Sequence, residues 1–196
     1  MKRLMPIIIA AAVVIAGCAE VREYAQIVRN DTLSPAYRAA LETWTRSKTV
    51  YSSFETRLKV VATYRSAQFQ KAYREEYDRV CDGSVRLDAT APQGMEFLVY
   101  AYTPNREAND FADARSIWEV FMAVNGGERF VPVDLRRIED VTPAMEEFFP
   151  YINRHHGSVY TVTFNSVGGG TGTITPRTDD FSLVFASVLG RAELDW

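Results

Sequence analysis

The sequence predicts a mainly β protein, α+β by count, built as an antiparallel β-sandwich with inserted helices. Aromatic residues are abundant, with eleven Phe, ten Tyr and three Trp, and such side chains favour strands. Six or seven segments have strand-like patterns, and helical segments do not alternate regularly with them, which argues against a parallel α/β sheet. Two of these segments flank Asn125-Gly126-Gly127-Glu128, which is a strong hairpin signal.

Residues 34–196 are expected to form a single domain, because no linker or internal repeat divides them. A chain of 196 residues can bury a sizeable core, and its 47% apolar and 24% charged composition is typical of globular proteins. An immunoglobulin-like layout is one option for the sandwich, although the disulfide and Trp spacing of antibody domains is absent.

Capping signals mark the start of three helices. Ser34 is followed by Pro35 and by apolar residues on one helical face, and this helix is expected to end by Ser47. Ser66 caps a second helix, whose apolar stripe consists of Phe69, Tyr73, Tyr77 and Val80. Asp82-Gly83 is expected to end it, and Cys81 is expected to be buried, as free cysteines usually are. A short third helix starts at Thr142-Pro143 and stops before Pro150.

The first predicted strand alternates between apolar and polar residues from Phe54 to Tyr64, which indicates one buried face. Residues 97–102 (FLVYAY) are apolar on both faces and predict a central strand. Residues 117–124 and 129–138 form the predicted hairpin, with Pro132 placing the second strand at a sheet edge. Residues 159–164 (VYTVTF) predict one more strand.

The segment 181–196 is the last predicted part of the sheet. Its even-numbered residues are expected to share the buried face: Val184, Ala186, Val188, Ala192, Leu194 and Trp196. Sixteen residues at about 3.3 Å each would exceed 50 Å, so a bend or bulge is expected at Gly190. Trp196 is expected to pack in the sheet.

The first twenty residues have the pattern of an export signal. Lys2 and Arg3 give a positive start, and residues 4–16 form an apolar run of thirteen residues, shorter than the roughly twenty that a bilayer span needs. The run closes with Ile15-Ala16-Gly17-Cys18, an aliphatic residue, two small residues and a cysteine. This ending resembles the lipobox of bacterial lipoproteins.

The lipobox resemblance implies cleavage between Gly17 and Cys18, a diacylglycerol thioether on the Cys18 sulfur and a third acyl chain on the new amino group. Residues 1–17 are then the signal peptide, and residues 18–33 are the lipidated N-terminus and tether. Two or three acyl chains hold a protein on a membrane, whereas one chain holds it only marginally. By the enterobacterial sorting rule, Ala19 instead of Asp implies the outer membrane, facing the periplasm.

Removal of residues 1–17 leaves 20 basic and 25 acidic residues, a formal net charge of −5. With no polybasic patch, the lipid is the expected membrane contact, and no basic excess indicates a nucleic-acid partner. Beyond the leader, four segments are similar to parts of uncharacterised bacterial lipoproteins: ATYRSAQFQKAYREEY, a strand ending in YTP, IWEVF and FFPYI. This second resemblance implies no activity.

Candidate catalytic and metal sites are weak. His155-His156 lack the third and fourth ligands of a zinc site, so a polar turn before Gly157 is expected, and no cofactor is expected. Residues 165–180 (NSVGGGTGTITPRTDD) lack the GK[ST] of a phosphate loop and are interpreted as a loop between strands. In residues 103–113 the EF-hand spacing is missing, and Asp110 or Asp113 is expected to cap a turn. Neighbouring carboxylates such as Glu146-Glu147 do not by themselves make a hydrolytic pair.

Three hypotheses for function follow, in this order of preference. The first is a lipid-anchored envelope module that binds another protein or supports an envelope assembly. The second is a carrier or chaperone for an apolar ligand, with Tyr100, Tyr102 and Trp118 lining a cavity. The third is an envelope hydrolase that uses carboxylates with His155 or His156; with no catalytic signature in the sequence, it ranks last.

Overall fold

The computed structural model describes residues 32–81, 94–125, 127–165 and 180–196. These residues form three α-helices, a short 3-10 helix and nine strands. The helices are α1 (Pro35–Trp44), α2 (Ala67–Val80) and α3 (Pro143–Phe148), and the 3-10 helix spans Arg106–Ala108. The strands are β1 (Thr45–Ser52), β2 (Glu55–Tyr64), β3 (Gly94–Tyr102), β4 (Glu119–Val124), β5 (Glu128–Phe130), β6 (Asp134–Ile138), β7 (Ser158–Asn165), β8 (Phe181–Ser187) and β9 (Gly190–Asp195).

The strands form two antiparallel sheets. Sheet A has the order β1-β2-β3-β7-β6, and sheet B has the order β5-β4-β8-β9. If β1 is set aside, these are the A-B-E-D and C′-C-F-G orders of an immunoglobulin domain, with β1 added at the edge next to strand A. The predicted mainly β, antiparallel sandwich with inserted helices is therefore confirmed, and its strand order is immunoglobulin-like.

Two apolar cores divide the domain into three layers. One core lies between the sheets and includes Val99 of β3 and Leu183 of β8. The other lies between sheet A and the helices and includes Tyr37 of α1, Phe69 of α2 and Leu98 of β3. Strand β3 thus contributes to both cores, which explains why its sequence is apolar on both faces and confirms it as a central strand.

Helix α1 begins as predicted, with the Ser34 hydroxyl accepting the N–H of Tyr37 at 3.2 Å. It ends at Trp44, before Ser47 as predicted, because Thr45 already pairs with Thr63 in sheet A. The prediction missed β1 because this edge strand is mostly polar and shows no clear alternation. Leu33, assigned to the tether, is instead buried in the core beneath the helices.

The prediction of a single buried face for β2 was wrong. Leu58, Val60 and Ala62 do face the core between the sheets, but Val61 packs on the helical side because sheet A is covered on both faces. Phe54, predicted to be buried, lies in the turn before β2 and is fully exposed.

Helix α2 starts at its predicted cap, where the Ser66 hydroxyl accepts the N–H of Phe69 at 3.1 Å. Its last stripe residue, Val80, is exposed, and Cys81 is half-buried rather than buried, because the stripe reaches past the edge of the core. Helix α3 has its predicted Thr142 cap and ends before Pro150. The predicted stop signal Asp82-Gly83 lies outside the described residues.

The predicted hairpin over 117–138 is correct in its first half only. Strands β4 and β5 pair around a turn that contains Asn125, whose φ is +48°. The second predicted strand, however, divides at Val131-Pro132-Val133, and the chain crosses from sheet B to β6 of sheet A. Proline, which lacks an N–H, therefore lies between two edge strands.

The predicted bend at Gly190 is a complete reversal, since β8 and β9 pair across the turn Val188-Leu189. In this hairpin odd-numbered residues of β8 oppose even-numbered residues of β9, as Leu183 opposes Leu194. The residues that face the core are therefore odd-numbered in β8 and even-numbered in β9. The predicted even-numbered buried face was wrong for β8. Trp196 packs in the sheet as expected, with its backbone N–H donating to the Phe181 carbonyl at 2.9 Å.

Candidate functional site

Two hairpin tips carry exposed apolar side chains at one end of the sandwich. At the β1–β2 tip, Phe54 is 105% exposed and Tyr51 is 62% exposed. At the β8–β9 tip, Val188 is 95% exposed and Leu189 is 39% exposed. We call these four residues the hairpin-tip patch.

The two tips lie next to each other because β1 and β9 are neighbouring edges of the two sheets. The contact is so close at Gly190 that a Cβ there would lie 2.4 Å from Cγ1 of Val50. Gly190 also has a φ of +145°, a backbone conformation that residues other than glycine rarely adopt. Glycine at this position thus brings the β8–β9 turn against the end of β1.

The β1–β2 turn has an unusual residue choice. Ser52 pairs with Glu55, which leaves Ser53 and Phe54 as a two-residue loop with φ values of 53° and 66°. Such loops favour Asn-Gly or Asp-Gly, because a left-handed backbone crowds the Cβ of other residues. A bulky Phe in this conformation, with its ring in solvent, is unfavourable on both counts.

A basic cavity of about 120 Å³ lies at the edge of sheet A where β7 begins and β6 ends. Its lining residues come from the 3-10 helix, the end of β6 and the turn before β7: Arg106, Asn109, Arg137, Arg154, His155, His156, Gly157 and Ser158. The lining therefore combines three guanidinium groups and two imidazoles, and it contains no carboxylate. A more open cleft of about 430 Å³ adjoins it and shares Arg106, Asn109 and Arg137.

Buried contacts fix the loop on one side of the cavity. Asn109 is 5% exposed, and its amide donates to the Ala101 carbonyl at 2.9 Å. The Tyr160 hydroxyl donates to the Asn109 carbonyl at 2.6 Å, and burial raises the pKa of Tyr160 and keeps it protonated as a donor. Phe111 inserts into the core between the sheets, with its ring centroid 5.2 Å from that of Tyr160.

A close approach fixes the turn on the other side. A Cβ on Gly157 would lie 2.5 Å from the Tyr100 ring and 2.6 Å from the Ala101 carbonyl oxygen, so only glycine lets the turn sit this near β3. Arg106 joins the two sides, because its Nη2 donates to the His155 carbonyl at 3.1 Å.

A third group of polar contacts holds residues 32–34, the first described part of the chain, and we call it the entry clamp. The backbone N–H of Ser34 donates to Oε1 of Glu76 at 2.8 Å. Arg79 forms an ion pair with Glu76 and donates from Nη2 to the Thr32 carbonyl at 2.7 Å. The Thr32 hydroxyl also donates to Glu147. Residues 32–34 are thereby attached to α2 and α3.

Glu76 is only 2% exposed, and burial by itself would raise its pKa. The hydrogen bonds from Arg79 and Ser34 outweigh this effect and hold the pKa at about 2. Glu76 is therefore an anion at all ordinary pH values, inside the clamp that holds the incoming chain.

Two of the three sequence-predicted loops lie within the described residues and are found where they were expected. His155 and His156 lie in an exposed polar turn before Gly157, and within the described residues neither side chain is hydrogen-bonded to a carboxylate. In the loop after β3, Asp113 accepts the N–H of Arg115 at 2.8 Å, and Asp110 accepts the Ser116 hydroxyl at 2.9 Å. Asp113 thus caps a turn, as predicted for Asp110 or Asp113, and Asp110 bonds a side chain of the same loop.

The three aromatic residues suggested for a ligand cavity are not brought together. Trp118 lies in the core between the sheets, whereas Tyr100 and Tyr102 lie on the opposite face of sheet A, under the helices. The premise of the carrier hypothesis is therefore wrong, because sheet A separates Trp118 from the two tyrosines and the three cannot line a common cavity.

The lipidation site Gly17-Cys18 lies outside the described residues, and so does most of the glycine-rich segment 165–180. Within the described ranges, no helix has both the length and the hydropathy of a membrane span. The same residues hold no group of three or more His, Cys, Asp or Glu side chains arranged to bind a metal ion.

Sequence reasoning missed both the hairpin-tip patch and the basic cavity. The alternation pattern placed Phe54 inside, and Ser53-Phe54 carries no turn signature. The cavity arginines come from three separate segments, and no local spacing could have linked them.

Comparison with known proteins adds no relative. No protein-family model matches the chain, and searches of curated proteins and of solved structures also found no match.

Proposed function

We propose that this chain is a lipid-anchored protein of the bacterial cell envelope, held at the outer membrane and facing the periplasm, whose β-sandwich binds another envelope protein through the hairpin-tip patch. The anchoring half rests on Ile15-Ala16-Gly17-Cys18 after a short apolar run, and on Ala19 for the choice of membrane. The binding half rests on the structure of the β1–β2 turn.

One observation carries the binding proposal: Phe54 is fully exposed and has a left-handed backbone. The conformation costs about 1–2 kcal/mol for a residue with a Cβ. Among the described residues no packing contact offsets this cost, since the Phe54 ring is fully exposed. A strained backbone at one surface residue indicates a function beyond folding. The simplest such function is to bind a partner that buries the Phe54 ring.

The rest of the patch fits a protein partner. Aromatic residues near the centre of an interface contribute most of its binding energy, while neighbouring side chains exclude water. Phe54 and Tyr51 supply the aromatic rings, and Val188 and Leu189 lie beside them on the adjoining tip. We infer that the partner presents an apolar pocket that accepts the Phe54 ring.

The proposed anchor also limits where that partner is. Residues 18–31 number fourteen, and an extended chain spans at most about 3.3–3.6 Å per residue, so the anchor holds Thr32 within about 50 Å of the membrane surface. The entry clamp fixes residues 32–34 to the helices, so a pull on the tether acts on the domain itself. The partner is therefore membrane-bound or close to the membrane.

Mass spectrometry of the protein from its native host tests the anchor. We expect the mature chain to begin at Cys18 and to carry the mass of a diacylglyceryl group and an amide-linked acyl chain. The matched variant Cys18→Ala should stay unprocessed. An unmodified Cys18 in the host protein would refute the anchoring half of the proposal.

Site-specific photo-crosslinking in intact envelopes tests the binding surface. A photoreactive phenylalanine analogue replaces Phe54 or, as a control, the exposed Val131 outside the patch. We expect a discrete protein adduct from position 54 alone, with a yield that falls when Val188→Ser is added. Equal adducts from both positions, or only lipid adducts from position 54, would exclude a protein partner at this patch.

A further inference from the structure

The basic cavity is a second site, independent of the hairpin-tip patch and of the anchor. Its position is set by folding contacts alone: Asn109 and Tyr160 hold one wall, and Gly157 allows the other wall to approach β3. A preformed cavity whose lining is polar and basic suits a small anion rather than an apolar ligand.

The charge of the lining is only partly compensated. Nε of Arg137 lies 3.7 Å from Glu139, and Nε of Arg154 lies 3.5 Å from Glu146, distances longer than direct hydrogen bonds. Within the described residues, Arg106 makes no ion pair, and its guanidinium group donates to the His155 carbonyl. The three guanidinium groups therefore retain donors that can turn to an anion.

We infer that the basic cavity binds a phosphate group, with Arg106 as the central donor and Arg137 and Arg154 at its sides. Guanidinium groups match phosphate oxygens through paired N–H donors, and three of them around one small cavity provide more donors than a single carboxylate accepts. The hydrogen bond from Arg106 to His155 fixes the planar group across the cavity, so little side-chain freedom is lost on binding.

The phosphate group has two sources in an envelope: a free phosphate or the headgroup of an anionic phospholipid. Two loops at the exposed edge of sheet A line the cavity, and both kinds of phosphate can reach it there. The shared chemistry is an exposed phosphoryl group, and the probes below separate the two sources.

Calorimetric titration of the full chain in a non-ionic detergent tests this site. The probes are inorganic phosphate, glycerophosphoglycerol as the soluble headgroup of an anionic phospholipid, and glycerophosphocholine as a zwitterionic control. We expect saturable binding of at least one of the first two probes. Arg106→Gln should weaken it about tenfold or more, because a charge-assisted donor is lost.

Arg115→Gln is the matched control, since Arg115 lies in the same loop, is exposed and does not line the cavity. It removes the same charge and should leave binding within about twofold. Circular dichroism of both variants checks that the fold is intact. Tighter binding of glycerophosphoglycerol would assign the site to lipid, and tighter binding of inorganic phosphate would assign it to a free ligand. If neither probe saturates, or if both variants weaken binding equally, the phosphate site is refuted.

Discussion

The buried carboxylate of Glu76 accepts the backbone N–H of Ser34 at 2.8 Å, which ties the first residues of the described domain to helix α2 across 42 positions of sequence. Arg79 completes the arrangement by pairing with Glu76 and by donating to the Thr32 carbonyl. The first described residues are therefore held to α2 by both a buried carboxylate and a guanidinium group.

Removal of this carboxylate charge should change the response to acid. Because the folded pKa of Glu76 is about 2, below its ordinary value of 4.5, its ionisation stabilises the fold above about pH 4.5, and this contribution is lost as the pH falls towards 2. Glu76→Gln should lower the free energy of unfolding at pH 7 and should differ less and less from the parent between pH 4.5 and 2. Urea unfolding followed by Trp fluorescence measures both.

Glu75→Gln is the control for this prediction, since Glu75 is exposed and pairs with Lys71 only at 3.8 Å. It should leave the free energy of unfolding within about 0.5 kcal/mol at every pH. A constant difference between Glu76→Gln and the parent from pH 7 to pH 2 would contradict the assigned pKa.

The strained tip should yield a variant that is more stable but less able to bind. Ser53→Asn with Phe54→Gly installs the preferred residues of a left-handed two-residue turn and should raise the free energy of unfolding by about 1 kcal/mol. The same variant should lose capture of the proposed partner. Denaturant unfolding measures the first effect, and competition with the crosslinking variant measures the second. A loss of stability would show that Phe54 supports the fold itself.

The turn at Gly157 should not tolerate a methyl group. Gly157→Ala places a Cβ within 2.6 Å of both the Tyr100 ring and the Ala101 carbonyl, so we expect a loss of about 1–3 kcal/mol from overpacking. Gly127→Ala is the control, because nothing lies within 4 Å of its Cβ position. Thermal unfolding of the two variants separates the outcomes, and equal melting temperatures would argue against the tight approach of the turn.

The contact between the sheets at Gly190 is open to a double-mutant cycle. Gly190→Ala should destabilise the fold, because the new methyl group meets Val50 at 2.4 Å and the backbone φ is +145°. Val50→Ala should restore only the part that comes from the clash. We therefore expect a favourable coupling energy of about 0.5–3 kcal/mol between the two substitutions. Strictly additive effects would mean that the two residues do not touch in solution.

The parts of the fold that depend on nearby residues could be predicted from the sequence. Ser34, Ser66 and Thr142 cap helices because each hydroxyl accepts an N–H three residues ahead. The central strand could be predicted as well, since burial on both faces leaves an unbroken apolar run.

The parts that depend on distant residues could not be predicted. Strand β1 exists because Thr45 to Ser52 pair with β2, and its own side chains are too polar to reveal it. The candidate sites were hidden for the same reason. Exposure of Phe54 follows from the two-residue turn that the β1–β2 register creates, and the basic cavity exists only where three separate segments meet.

The contact between β1 and β9 can form only late in the synthesis of the chain. Val50 and Gly190, which touch at this junction, are 140 positions apart. A ribosome that adds about 5–20 residues per second needs roughly 7–28 s to travel between them. A nascent chain that is halted before this point keeps an open sheet edge, which unrelated strands can join. Synthesis that stops between the two strands therefore leaves one defined vulnerable product, which contains β1 but not β9.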